Sequence, residues 1–172
     1  MSDLNSQVAT VFVREMAHQL REGLEKILHC LRQLNEEQVW WRPTPAQNSI
    51  ANLMLHLEGN IRQWIVSGVG GEPDVRDRPN EFAEAGPIEK GELLVRLSDT
   101  VGRAIQIISD QTADALLKEQ RIQGFDTTVA GAIIDSVAHF RGHTQEIISL
   151  TRQQLENRYE FYFVPKTPEQ GA

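Results

Sequence analysis

From Leu4 to Leu34, apolar residues fall at positions 4, 8, 11, 12, 16, 20, 24, 27, 28, 31 and 34. A 3.6-residue repeat held over so many turns dictates one long amphipathic helix, whose apolar stripe needs helical partners. The segment Glu36-Glu37-Gln38-Val39-Trp40-Trp41-Arg42-Pro43-Thr44-Pro45 ends it, because each proline restricts its predecessor and lacks a backbone donor. Asn48 and Ser49 offer N-caps for a second helix carrying Ile50, Leu53, Leu57, Ile61 and Trp64, which is expected to stop near Ser67-Gly68.

Residues 68–87 hold Gly70, Gly71, Pro73, Pro79, Gly86 and Pro87 among charges and read as a long loop, of the kind that closes over sites. A third helix carries Leu93, Leu94, Leu97, Val101, Ile105 and Ile108, and a short helical turn is expected around Ala113 to Lys118. Gly124 to Asp126 marks a break, after which Thr127 or Thr128 caps a fourth helix running to about Leu155. The stretch Tyr159-Glu160-Phe161-Tyr162-Phe163-Val164 is β-prone but too short to found a sheet. The expected fold is therefore all-α: an antiparallel four-helix bundle over residues 1–156, with a long loop between helices 2 and 3 and an extended tail over 157–172.

Composition narrows the partners. A chain of 172 residues suits one domain with a real core, and 17 basic against 24 acidic side chains, spread through the chain, leave no footprint for a nucleic acid or an anionic bilayer. No apolar run approaches the ~20 residues that span a membrane. A single Cys30 makes no internal disulfide, and the polar start Met1-Ser2-Asp3-Leu4-Asn5-Ser6-Gln7 lacks the regions of a secretory signal, so a cytoplasmic protein is expected. Cys30 reads as a packing or surface thiol, with no adjacent cationic run to activate it.

The chain has five histidines. With Leu24, Leu28 and Leu31 as the buried centre of helix 1, His18 and His29 lie roughly 120–140° away and are expected to face water. In helix 4, His139 and His143 flank the Ile133–Val137–Phe140–Ile147 stripe on one side. In helix 2, His56 lies about 60° from the Leu53 centre, with Asn60 nearly on it. Residues four apart stack on one helix face, so both imidazoles of His139-Phe140-Arg141-Gly142-His143 can point at one ion, and a third histidine from a neighbouring helix completes a facial set. His56 is the core-flanking candidate for it. Two partly buried histidines that hydrogen-bond each other are the alternative. Rival motifs fail: Phe140 follows His139 where a zinc protease needs Glu, only Glu15-x-x-His18 fits the di-iron pattern, and the Gly68–Gly71 cluster opens no helix.

Three blocks together resemble the DinB/YfiT-like family of four-helix-bundle metalloenzymes: Trp40-Trp41-Arg42-Pro43-Thr44-Pro45 after helix 1, Asn48–Asn60 with His56, and His139-Phe140-Arg141-Gly142-His143-Thr144-Gln145. The resemblance spans helix 1 to about Leu155. It implies that His56, His139 and His143 ligate a divalent ion, zinc or nickel, and that the chain forms a homodimer. It also points to thiol-transferring, thiol-dependent or hydrolytic chemistry on a small-molecule substrate, with a low-molecular-weight thiol as the candidate cofactor. Thr144 stands where members often carry Gly. Three neutral nitrogens leave a position open, as in catalytic and not closed structural sites. Glu146 is a candidate general base or an anchor behind a ligand, or else an exposed ion-pairing residue. Asn60 is a candidate supporting group, and Trp41 reads as packing. The competing expectation is a non-catalytic metal-binding, stress-response or dimeric structural protein.

Overall fold

Capping side chains set the boundaries of the helices. Asn35 and Ser49 each form a reciprocal capping box, with Gln38 and Asn52, and Thr128 accepts from the Gly131 amide. In the computed structural model, which describes residues 2–86 and 88–164, the elements follow in this order. Helix α1 (Ser2–Gln33) leads to α2 (Glu36–Trp40) and α3 (Ile50–Ile61), which continues as a π-helical stretch (Arg62–Val69). Next come α4 (Arg78–Ala83), α5 (Lys90–Ser109), α6 (Ala113–Leu116), strands β1 (Glu119–Ile122) and β2 (Phe125–Thr128), and α7 (Val129–Leu155). The fold is mostly helical with one small sheet.

The long helices share one core. Helices α1 and α3 both pack on α5 and α7, burying Leu20, Ile27, Leu53, Leu57, Leu97, Ile108, Ile133 and Phe140 completely. In α1 the buried line runs through Leu20, Ile27 and Leu31, turned away from the expected Leu24–Leu28 edge, which is only half-buried. That turn carries Cys30 fully inside, beside Thr151 and Tyr159. His18 is exposed as expected. His29 is half-buried: its Nε2 lies 2.6 Å from the Glu160 carbonyl, and its ring packs edge-on to Tyr159 and Tyr162 of the tail.

The expected antiparallel order needs correction. Glu22 pairs with Arg141 and Cys30 meets Thr151, so α1 and α7 run parallel. Arg62 donates to Thr100 at 3.0 Å and Gly70 lies against Ile107, so α3 with its π stretch runs parallel to α5. Lys90 at the start of α5 donates to the Leu31 and Leu34 carbonyls at the end of α1, so that pair is antiparallel, as are α3 and α7. The cause is the connection over residues 70–89. At ~3.3 Å per residue, its extended part (70–77) spans roughly 25 Å, nearly the ~30 Å length of the helix it runs back along. It can therefore return the chain to the level where α3 began.

That connection is pinned by a buried polar network. Asn52 donates from Nδ2 to the Glu81 and Glu84 carbonyls at 3.1 and 2.9 Å, while its Oδ1 accepts from Arg42 at 2.9 Å and from Ser49 Oγ at 2.6 Å. Arg42, from the Trp-Arg-Pro turn, reaches the Glu84 carbonyl as well, at 3.2 Å. Trp40 donates to the Ile88 carbonyl at 3.0 Å, whereas Trp41, expected to pack, is 38% exposed.

The break expected at Gly124–Asp126 is a hairpin. Ile122 pairs with Phe125 across a two-residue turn in which Gln123 (φ 53°) and Gly124 (φ 83°) both adopt the left-handed region. Two left-handed central residues make the turn whose twist matches the strands.

Candidate metal centre

The capped start of α3 sets which face of that helix meets α7, and the antiparallel pairing of the two helices brings His56 level with His139. Their Nε2 atoms lie 2.8 Å apart. Because His143 is one turn beyond His139 on the same face, the three rings cluster, with centroids 4.5–5.0 Å apart and nearly perpendicular planes. Their ligand atoms all fall within 4.8 Å of one another. The structure thus brings together the three histidines that the sequence singles out.

The group behind His56 escaped the sequence reading. His56 is 5% exposed, and Glu81 of α4 accepts from its Nδ1–H at 2.9 Å. Arg76 in turn donates from Nε to Glu81 Oε1 at 2.6 Å and from Nη2 to Oε2 at 3.0 Å, with its side chain only 3% exposed. Its Nη1 donates to Gln63 Oε1 at 2.9 Å. Although burial disfavours the charged carboxyl, the hydrogen bond from His56 and the Arg76 cation together hold Glu81 below the usual carboxylate range. Arg76 Nη2 also approaches His56 Nδ1 at 3.3 Å; both are donors, and they share the Glu81 oxygen between them.

This arrangement fixes a tautomer. With its Nδ1 proton held by Glu81, His56 presents a lone pair at Nε2, the arrangement that suits a metal ligand. His143 is arranged in the same way: Glu146 Oε2 accepts from its Nδ1 at 2.7 Å, leaving Nε2 toward the cluster. His139, desolvated and close to His143, His56, Arg76 and Arg78, has its pKa pushed down to about 4, so near neutrality it is an uncharged donor ligand. Two facing imidazole nitrogens at 2.8 Å require either one proton or one cation between them. Two nitrogens ~2.05 Å from one ion stand ~2.9 Å apart at a right angle and ~3.3 Å apart at a tetrahedral angle, so a slight parting of the two rings would admit one. The residues present therefore fit a divalent ion.

Gly59 makes the arrangement sterically possible. A Cβ there would overlap Glu81 Oε1 and stand 3.2 Å from Arg76 Nε. A glycine in the interior of a helix is a signal, readable in the sequence, that something approaches that face closely. Asn60, the other candidate supporting residue, makes no hydrogen bond to an imidazole among the described residues; its Oδ1 accepts from Ser136 Oγ at 3.2 Å.

A cavity of about 530 Å³ opens directly off His56 and His139. Asn60 and Trp64 line it from the α3 side, Ser136 and Asp135 from α7, Phe125 and Thr127 from the hairpin, and Arg76 and Arg78 from the connection. The connection thus forms a wall and a buttress, where a loop closing over the site was expected. The hairpin and the π stretch, neither foreseen from the sequence, add Phe125, Thr127 and Trp64 to the walls that α3 and α7 provide.

Residues 7–168 match a family described as "Protein of unknown function (DUF1572)", a family with the DinB/YfiT-like fold that the three sequence blocks resemble. The match runs on through most of the segment read as a tail. Among solved structures, the chain is similar to one titled "Crystal structure of the conserved protein of locus from Enterococcus faecalis". The TM-score is 0.67 at 16% sequence identity, covering 81% of this chain and 94% of that one, which is a likeness of fold. No curated protein matches the chain significantly.

Proposed function

Since the chain belongs to the DUF1572 family, whose function is unknown, we propose its function from its own site: a divalent-metal-dependent enzyme that transfers a small thiol or hydrolyses a small molecule. The observation that carries the reading is the set of three histidines, two of them backed by carboxylates, beside a cavity of small-molecule size. His56, His139 and His143 would hold the ion, zinc or nickel. Held by three neutral nitrogens, such an ion would keep its full charge and a free side, and would there supply Lewis-acid polarisation of a substrate oxygen, a bound water with its pKa lowered toward ~7, or a coordinated thiol in its deprotonated form.

The chain's own residues do the rest. Glu81 holds the Nδ1 proton of His56, and Arg76 keeps that carboxylate ionised in its buried place. Glu146 holds the Nδ1 proton of His143, so its contribution comes through the ring it orients, and not as a free general base. Trp64 and Phe125 give the cavity apolar wall against which the body of a substrate would pack. In this reading the four long helices form a four-helix bundle of mixed direction that keeps the imidazoles fixed, and a homodimer is its working state.

Metal analysis of the purified protein after metal-replete expression tests the site. About one ion per chain, lost in both His56→Ala and His139→Ala, is the expected result; wild type without metal rejects the reading. Screens for thiol transfer and for ester or amide hydrolysis by the loaded protein test the chemistry, and an activity untouched by His143→Ala removes the metal from it.

A further inference from the structure

Arg78 is the charge that the site as described leaves unused. It lines the cavity together with His56 and His139, and among the described residues it makes no hydrogen bond or ion pair. Arg76, two positions earlier, is consumed by Glu81 and Gln63. What holds Arg78 is a ring: its guanidinium lies 5.2 Å from the Phe82 centroid, and Phe82 packs 4.9 Å from the His56 ring. Held against that ring, the exposed guanidinium keeps its N–H donors available to whatever enters beside it. Its charge is near enough to His139 to contribute to keeping that imidazole neutral.

The other walls limit what can enter. Trp64 and Phe125 are apolar, and Phe125 stands largely exposed at the hairpin turn, facing the cavity and not the core. Asp126 is paired with Arg121, but Asp135 has no hydrogen-bond or ion-pair partner among the described residues. With Arg78 as the unpaired guanidinium of the lining, a single negative charge is compensated, whereas a dianion leaves its second charge without a partner in a wall that also carries the unpaired Asp135 carboxylate. A volume of about 530 Å³ lies within the ~300–1,000 Å³ of small-molecule sites.

We propose that this cavity binds a small organic carboxylate, with the carboxylate on the Arg78 fork, the apolar body between Trp64 and Phe125, and the far end beside His56 and His139. The assignment of that far end as the reacting one rests on the metal-site reading above. Carboxylate binding itself does not, because Arg78 and the aromatic walls are independent of the ion.

The test is calorimetric titration of the full chain, both zinc-loaded and chelator-treated, with 3-phenylpropionate, its neutral amide and phenyl phosphate. Expected is binding of the carboxylate to both forms, at least tenfold tighter than the amide and tighter than the phosphate. Arg78→Ala should weaken it tenfold or more, and Arg78→Lys should restore part of the loss, with zinc stoichiometry unchanged in both variants. Equal binding of acid and amide, tighter binding of the phosphate, no binding of any probe, or no effect of Arg78→Ala overturns the proposal even if zinc binds stoichiometrically. Carboxylate binding that depends on Arg78 in a protein that takes no zinc supports it, while removing the metal reading alone.

Discussion

Glu81→Gln separates the support of the metal site from the stability of the fold. The substitution keeps the size of the side chain and one carbonyl oxygen but removes the charge shared by His56 Nδ1 and Arg76. Arg76, 3% exposed at its side chain, is then a buried cation without a counter-charge. Breaking one side of such a pair costs about 3–5 kcal/mol, and the retained amide oxygen places this case near 3. Metal affinity falls separately, because the ring of His56 loses the carboxylate that orients it and raises its basicity. Losing such a partner weakens binding roughly 10–100-fold, or about 1.4–2.7 kcal/mol. Urea unfolding of the metal-free protein reads the first quantity, and zinc titration against a chromophoric chelator reads the second. The double variant Glu81→Gln/Arg76→Met should recover most of the stability, since no unpaired charge remains, while zinc affinity stays low. A folded Glu81→Gln protein that binds zinc within threefold of wild type would refute the argument that Glu81 supports the site through His56.

Gly59→Ala should act like a loss of Glu81 although it removes no group, because the added methyl occupies the place of Glu81 Oε1; zinc affinity is expected to fall roughly tenfold or more, and unchanged affinity would show that the contact is dispensable. Arg42→Ala removes the donor that ties Asn52 to the connection carrying Glu81. It should cost about 1–3 kcal/mol in urea unfolding and leave residues 70–89 more open to protease; an unchanged cleavage pattern would contradict the pinning role. Ser49→Ala deletes the cap on the Asn52 amide at the start of α3 and should cost about 1 kcal/mol in the same assay. Cys30, fully buried and with its thiol pKa raised by that burial, should react with an aromatic disulfide reagent on the order of 100-fold more slowly in the native protein than in denaturant. Reaction at the unfolded rate would place the thiol outside the core.

What was legible in the amino-acid order was whatever a few neighbouring residues decide. Apolar periodicity marked the long helices, Ser49 and Thr128 marked two of their starts, and a four-residue spacing put His139 and His143 on one face. Even His56 was found by its angle from the Leu53 centre. Periodicity carries no sense of direction, however, so it was silent on α1 running alongside α7 in parallel. The polar strands Glu119–Ile122 and Phe125–Thr128 offered no alternation strong enough to announce a hairpin around Gln123-Gly124. The partners that complete the site were hidden for a related reason. Glu81 reaches His56 across 25 sequence positions only because the 70–89 connection folds back along α3, where Arg42 and Asn52 hold it and Gly59 makes room. Local sterics and hydrogen bonding choose a helix within a turn or two. Which loop carboxylate ends behind which imidazole depends on long-range closure and packing, which only the assembled core decides.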